Sequence, residues 1–177
     1  MMETINIADC LASLPDGTAS KIVGVNSTNN GVLALPKTIT DAAGCGILNA
    51  ALEQSKWYRI AIGGNGSASS SAIINIGKFY NNGFPASQLF YVSADAYSNG
   101  QTVIQLAKGG GPNPIGKVRI VYKASTKERS FLDIYIASLK SNDFHISYSN
   151  NVYFSFQKPE EVSADIPEGY SVKEFTF

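Results

Sequence analysis

From Lys56 to the C-terminus, apolar side chains recur at every second position in one short run after another. In "KWYRIAI", Trp57, Arg59 and Ala61 alternate with Tyr58, Ile60 and Ile62, the pattern of a strand that buries one face. The alternation returns in "SAIINIGKFY", "QLFYVSADAY", "QTVIQLAK", "GKVRIVYKA", "SFLDIYIAS", "DFHISYS", "NVYFSFQ" and "YSVKEFTF". Between these runs stand the turn signals "GGNGS", "NNGFP", "SNG", "GGGPNP", "STKER", "KSND", "SNN" and "IPEG". The count is about nine strands after residue 55 with no amphipathic helix between them, which predicts an all-β antiparallel sandwich or barrel rather than βαβ units. "DFHISYSNNVYFSF" predicts a hairpin, because Asn150 and Asn151 tolerate the positive φ of a tight turn.

A chain of 177 residues with 44% hydrophobic side chains can bury one substantial core. Before Trp57 the texture differs: "PDGTASKIVGVNSTNNGVLALPKTITDAAGCG" is made of short apolar runs broken by Asn, Gly and Pro. Residues 1–54 are therefore expected to form a small loop-rich N-terminal section, and residues 55–177 the main β domain. Within the first section, "GILNAALEQSK" places Ile47, Ala50, Ala51 and Gln54 at helical spacing, predicting about two turns of helix.

Lys and Arg together number 14, as do Asp and Glu, so no global field draws the chain to nucleic acid or to an anionic membrane. No apolar run is long enough to span a bilayer, and "MMETINIADC" has neither a basic nor an apolar signal region, so synthesis without a secretory leader is expected. Cys10 and Cys45 lie in no CxxC or Cys/His cluster and are expected to be small buried apolar side chains. Arg59, Arg119 and Asp133 interrupt apolar strands. They are expected on a solvated outer face; the alternative is that Arg59 or Arg119 pairs with Asp133 or Glu128 across strands or across a subunit interface.

Candidate chemistry is sparse. "GPNPIGKV", residues 111–118, approaches the phosphate-loop pattern, but Val118 offers no hydroxyl, Pro112 and Pro114 remove two backbone donors, and a strand pattern follows where a helix is needed. A tight or bulged strand connection is expected instead. His145, the single histidine, shares a strand face with Asp143 and Ser147, yet side chains so spaced point the same way, and a surface histidine is the expectation. Glu160 and Glu161 follow Pro159 in an expected exposed connection, and Asp95, Asp133 and Asp165 sit in separate segments, so no carboxylate pair is legible. No DxDxD-type cluster is present, and neither a metal nor a cofactor is expected. The expectation is a protein without enzymatic activity.

Aromatic residues among Asn, Ser and Gly remain. Tyr80 stands with Asn81 and Asn82, Tyr97 with Asn99, and Tyr148 with Asn150, each beside a turn. Tyrosine offers a rigid apolar ring with a polar tip and asparagine both a donor and an acceptor, a pairing suited to sugar rings or protein surfaces. These seven residues are the candidate ligand contacts.

"KWYRIA" near residue 56, "GKVRIVYK" at 116, "FLDIYIAS" at 131 and "IPEGYSVKEFTF" at the end resemble, in strand texture and order, the C-terminal receptor-binding head domains of phage and prophage tail-fibre proteins, particularly those associated with gut Bacteroidales. The resemblance covers about residues 55–177. It implies a jelly-roll-like β-sandwich assembled as a homotrimer, located in a virion, that binds a cell-surface glycan or protein receptor. "LASLPDGTASKIVGVNSTNNGVLALPKTI" is similar to the connecting segments that lead from a fibre shaft into such a head. "GGNGSASSS", from Gly63, would then be a mobile loop at one end of the sandwich, where small side chains admit a ligand or a neighbouring subunit. The alternatives are a structural trimerisation or virion decoration protein, and an accessory carbohydrate-binding module of a bacterial surface system.

Overall fold

The computed structural model describes residues 22–25, 31–34, 43–64, 69–78, 85–95, 100–123, 128–137 and 143–177. The chain divides into two compact units, Met1–Ile39 and Thr40–Phe177. In the first, β1 (Ile22–Val25) pairs antiparallel with β2 (Gly31–Ala34).

The second unit is a β-sandwich of two five-stranded antiparallel sheets. The first sheet contains β3 (Gly46–Ala51), β5 (Ser70–Lys78), β6 (Ala86–Ala94), β7 (Thr102–Gly109) and β10 (Asp143–Val152), in the order β3-β10-β5-β6-β7. The second contains β4 (Trp57–Ile62), β8 (Ile115–Tyr122), β9 (Phe131–Ile136), β11 (Ser155–Val162) and β12 (Ser171–Thr176), in the order β11-β4-β9-β8-β12. Among the described residues nine strands follow residue 55 and no helix occurs.

Alternation places one core between the sheets. Ile74, Ile76, Phe90, Val92, Phe144 and Ile146 of the first sheet form a single buried cluster with Tyr58, Ile60, Val118, Ile120, Leu132 and Ile134 of the second. Gln88, also buried, ties the sheets together with its side-chain amide. Its Oε1 accepts from the Ile115 backbone N–H (2.8 Å) and its Nε2 donates to the Ile115 carbonyl (3.1 Å), as a neighbouring strand would.

Several expectations are corrected. The segment expected as helix, 46–56, contributes strand β3, which pairs with β10 in the sandwich unit. Leu48 and Ala50 pack towards the core while Ile47, Asn49 and Ala51 are exposed; an apolar residue on the outer face and two adjacent alanines disguised a period of two. The expected hairpin at 143–156 is a corner instead. β10 pairs with β3 and β5, whereas β11 pairs with β4, so the chain changes sheets between them. Glu160 and Glu161 belong to edge strand β11 rather than to a connection; Pro159 sits where the β11–β4 register slips, a place where its missing N–H costs no ladder bond. Residues 111–114 lead into β8, which has a register irregularity between Ile115 and Lys117, the second of the two forms, tight or bulged, expected for this connection.

The outer face of the second sheet is closed. β11 and β12 lie at opposite edges of it yet are consecutive in the chain, so residues 163–170 must cross β4, β9 and β8. Under this strap Arg59, Asp133 and Arg119 stand side by side in register. Asp133, with no exposed surface, accepts from Arg59 Nε (2.9 Å) and Arg119 Nε (3.1 Å). Arg119 donates its remaining nitrogens to the strap's carbonyls, Ser163 O (2.7 Å) and Ala164 O (2.9 Å). The guanidinium groups also cover aromatic rings, Arg119 over Trp57 at 4.3 Å and Arg59 over Phe131 at 3.8 Å. Tyr170 packs on Phe131 and donates its hydroxyl to Glu128 (3.1 Å), whose carboxyl is held below its ordinary range, first by the hydrogen bond from Lys123. The mid-strand charges thus pair across strands as one of the expectations had it, but Asp133 and Arg119 are buried rather than solvated.

Candidate functional site

The outer face of the first sheet presents its side chains in rows fixed by strand register. One row runs Asn49, His145, Gly77, Ser87, Gly109 across all five strands; the next runs Ile47, Ser147, Asn75, Leu89, Ala107; a third carries Ile73, Tyr91 and Ile104. None of these side chains is fully buried, and Ile47 is 71% exposed. The face is therefore divided into a polar, small-residue half and an apolar half.

At the polar end a groove of about 700 Å³ opens where β3 and β5 end and β6 and β10 begin. Asn49, Ala51, Gly77, Pro85, Ser87, Asp143 and His145 line it, with Phe144 and Lys78 beneath. Gly77 shapes the groove: a Cβ built there would meet only the His145 carbonyl oxygen, at 3.8 Å, so the fold does not require glycine at this point of a central strand. His145 Nδ1 lies 2.6 Å from Asn49 Oδ1 on the neighbouring strand, and both side chains are exposed. Ser87 Oγ donates to Asn75 Oδ1 (2.7 Å). Lys78 is only 2% exposed; burial lowers its amine below the ordinary lysine value, and its Nζ lies 5.7 Å from the Phe144 ring centroid. The groove thus offers an amide, a hydroxyl, an imidazole and a carboxylate to a ligand lying against bare backbone. This inventory suits hydrogen bonding to hydroxyl-bearing molecules.

The candidate contacts chosen from sequence fall in different places. Tyr80, Asn81, Asn82, Tyr97 and Asn99 lie outside the described residues, as do residues 65–68 of the glycine- and serine-rich loop and Cys10. Lys78 and Pro85, which flank segment 79–84, both line the groove. Tyr148 lies within β10, and its ring is stacked on Phe156 at 3.9 Å and 9°, one aromatic face given over to packing between the sheets. Asn150 is exposed at the end of β10 with φ 49°. Ser70, from the later part of the loop, is buried and accepts from the Gly64 N–H (2.6 Å). Cys45 is a half-buried free thiol rather than a core side chain.

Sequence reasoning missed Asn49, Gly77 and Ser87, which become neighbours only through the non-local pairings β3–β10–β5–β6. It also missed Tyr153, which is 67% exposed at the corner between β10 and β11. Comparison with protein-family models, curated proteins and solved structures finds no match.

Proposed function

We propose that this chain is a non-enzymatic attachment protein: a jelly-roll-like fibre head, assembled as a homotrimer on a virion, that binds a cell-surface glycan through the open face of its first sheet. The observation that carries this is the asymmetry of the sandwich. One outer face is closed by a strap, while among the described residues no segment crosses the other, which carries a groove of hydrogen-bonding side chains and a glycine the fold does not need. The likeness of residues 55–177 to tail-fibre heads supports the same function. Three weak sites on one trimer would gain effective concentration on a dense surface, so each can be weak alone.

Light scattering tests the assembly. A mass near three times 18.9 kDa supports the fibre head, and a clean monomer removes it in favour of a monomeric carbohydrate-binding module. Adsorption of the labelled protein to host cells and purified surface polysaccharide tests attachment; an assembled protein that binds neither sinks it. A structural trimerisation or decoration role is favoured by one observation, the exposed Ile47, Ile104 and Leu106 of the first sheet. Ile104→Lys with Leu106→Lys separates the two: loss of assembly assigns these residues to subunit contact.

A further inference from the structure

The corner between β10 and β11 holds two non-glycine residues in the left-handed backbone region, Asn150 (φ 49°) and Tyr153 (φ 60°). Asparagine tolerates this conformation, but tyrosine adopts it only when its surroundings impose it. Here they do, from both sides. The Asn151 side chain clasps Phe154, donating from Nδ2 to the Phe154 carbonyl (2.8 Å) and accepting from the Phe154 N–H at Oδ1 (3.1 Å), while the Asn151 N–H donates to the Gly44 carbonyl (3.2 Å). Phe154 itself is buried in the core cluster. Held between these fixed points, Tyr153 is turned outward beside the exposed Val152. Among the described residues its ring meets no other ring and its hydroxyl has no hydrogen bond.

Two-thirds of the residue is in solvent, and glycine would occupy the position without strain. A rigid, strained backbone that presents an unused aromatic side chain is the arrangement expected where the partner is external. Its chemistry is legible in the neighbourhood. From Ser147 to Gln157 no residue is charged, which disfavours an anionic or cationic partner, whereas Ser149, Asn150 and Ser155 offer neutral donors and acceptors. The negative face of an aromatic ring attracts the polarised C–H bonds on one side of a sugar ring. We infer that Tyr153 is the stacking residue for a neutral pyranose unit of a surface saccharide, with the Asn150 amide beside it. Stacking of this kind rests on the attachment function proposed above and adds a contact at the opposite end of β10 from the groove. Register pairs Val152 with Ser71 and Ser70 with Ala94, so the strand ends bordering segments 65–68 and 96–99 lie at this same end.

The test uses the full chain, its Tyr153→Phe and Tyr153→Gly variants and a groove variant, Gly77→Val, on an array of purified mannan, glucan and galactan, with melting temperatures recorded alongside. The expected result is wild-type binding to at least one polysaccharide, retention by Tyr153→Phe within about threefold, and loss of at least about tenfold in Tyr153→Gly. The melting temperature of Tyr153→Gly should be unchanged or higher, which separates a lost contact from a lost fold. Equal binding by wild type and Tyr153→Gly, with loss in Gly77→Val, overturns the corner site and leaves attachment through the groove standing. Tyr153-dependent adsorption to deglycosylated cells without polysaccharide binding overturns the saccharide and assigns a protein receptor. Wild-type protein that binds neither polysaccharide nor cells overturns the attachment function and the stacking site together.

Discussion

On the outer face of the second sheet, Trp57, Arg119, Val121 and Asp133 are all buried; on the outer face of the first, Ile47, Ile104 and His145 stand in solvent. Both sheets are five-stranded and antiparallel, and the difference lies in connection. The second sheet's edge strands, β11 and β12, follow one another in sequence and oblige residues 163–170 to cross the face. The first sheet's edge strands, β3 and β7, are each followed by a strand of the other sheet. A face crossed by its own chain can bury charges, because backbone carbonyls such as those of Ser163 and Ala164 are at hand to satisfy them. A face left uncrossed must either stay polar or find a partner. The first sheet does some of each: one half of its outer face is small and polar, the other apolar.

The largest effect should come from breaking the closed face at its centre. Asp133→Ala leaves the buried Arg119 without its carboxylate, and removing one partner of a buried ion pair costs about 3–5 kcal/mol. Urea denaturation should show a midpoint shift of that size, with Trp57 fluorescence reporting loosening of the strap above it. A cost below about 1 kcal/mol would mean that water reaches Arg119 and that the face is not closed.

Part of this was legible beforehand. Period two in each run identified nine strands and the sandwich, because every strand after residue 55 keeps at least part of one face in the core. Charge offered Asp133 or Glu128 as partners for Arg59 and Arg119, as the alternative to a solvated face. Their burial was not legible, since it depends on a strap about 30 or more residues further along the chain crossing above them, and nothing local in "FLDIYIAS" records that crossing. The same reason explains the groove: Asn49, His145, Gly77 and Ser87 form one row only after four strands from distant parts of the chain have paired. Tyr148 and Tyr153 look equivalent in "SYSNNVYFSF". Only the corner geometry turns one into a packing ring against Phe156 and the other into solvent.

The corner joins the two sheets, and its strain can be released without touching either face. Tyr153→Gly should raise stability by about 1 kcal/mol, because glycine adopts φ 60° freely, less what its greater freedom in the unfolded chain takes back. Chemical denaturation measures it. A destabilisation of similar size would show that the ring packs against the protein and is not presented to an outside partner.

Gly77→Val tests whether the open face carries a groove by function or by default. Valine suits a central strand and meets no obstruction at Cβ, so stability should rise by about 0.5–1 kcal/mol while glycan binding falls. Stability gained without any loss of binding would assign the ligand elsewhere on the molecule.

The smallest effects belong to the apolar half of the same face. Ile47→Ser removes a side chain already largely in solvent and should alter the stability of the isolated chain by less than about 0.5 kcal/mol, while Ile104→Ser, at a half-exposed side chain, should cost about 1 kcal/mol or less. The comparison with Asp133 is sharpest here, since equivalent outward positions on the two sheets would then differ several-fold in cost. If either substitution instead costs 2 kcal/mol or more, roughly the value of a buried aliphatic side chain, and does so only at protein concentrations where the chain is assembled, the apolar half is covered by a second copy. The open face would then be shared between ligand and subunit contact, with the boundary running between the Asn49 row and the Ile47 row.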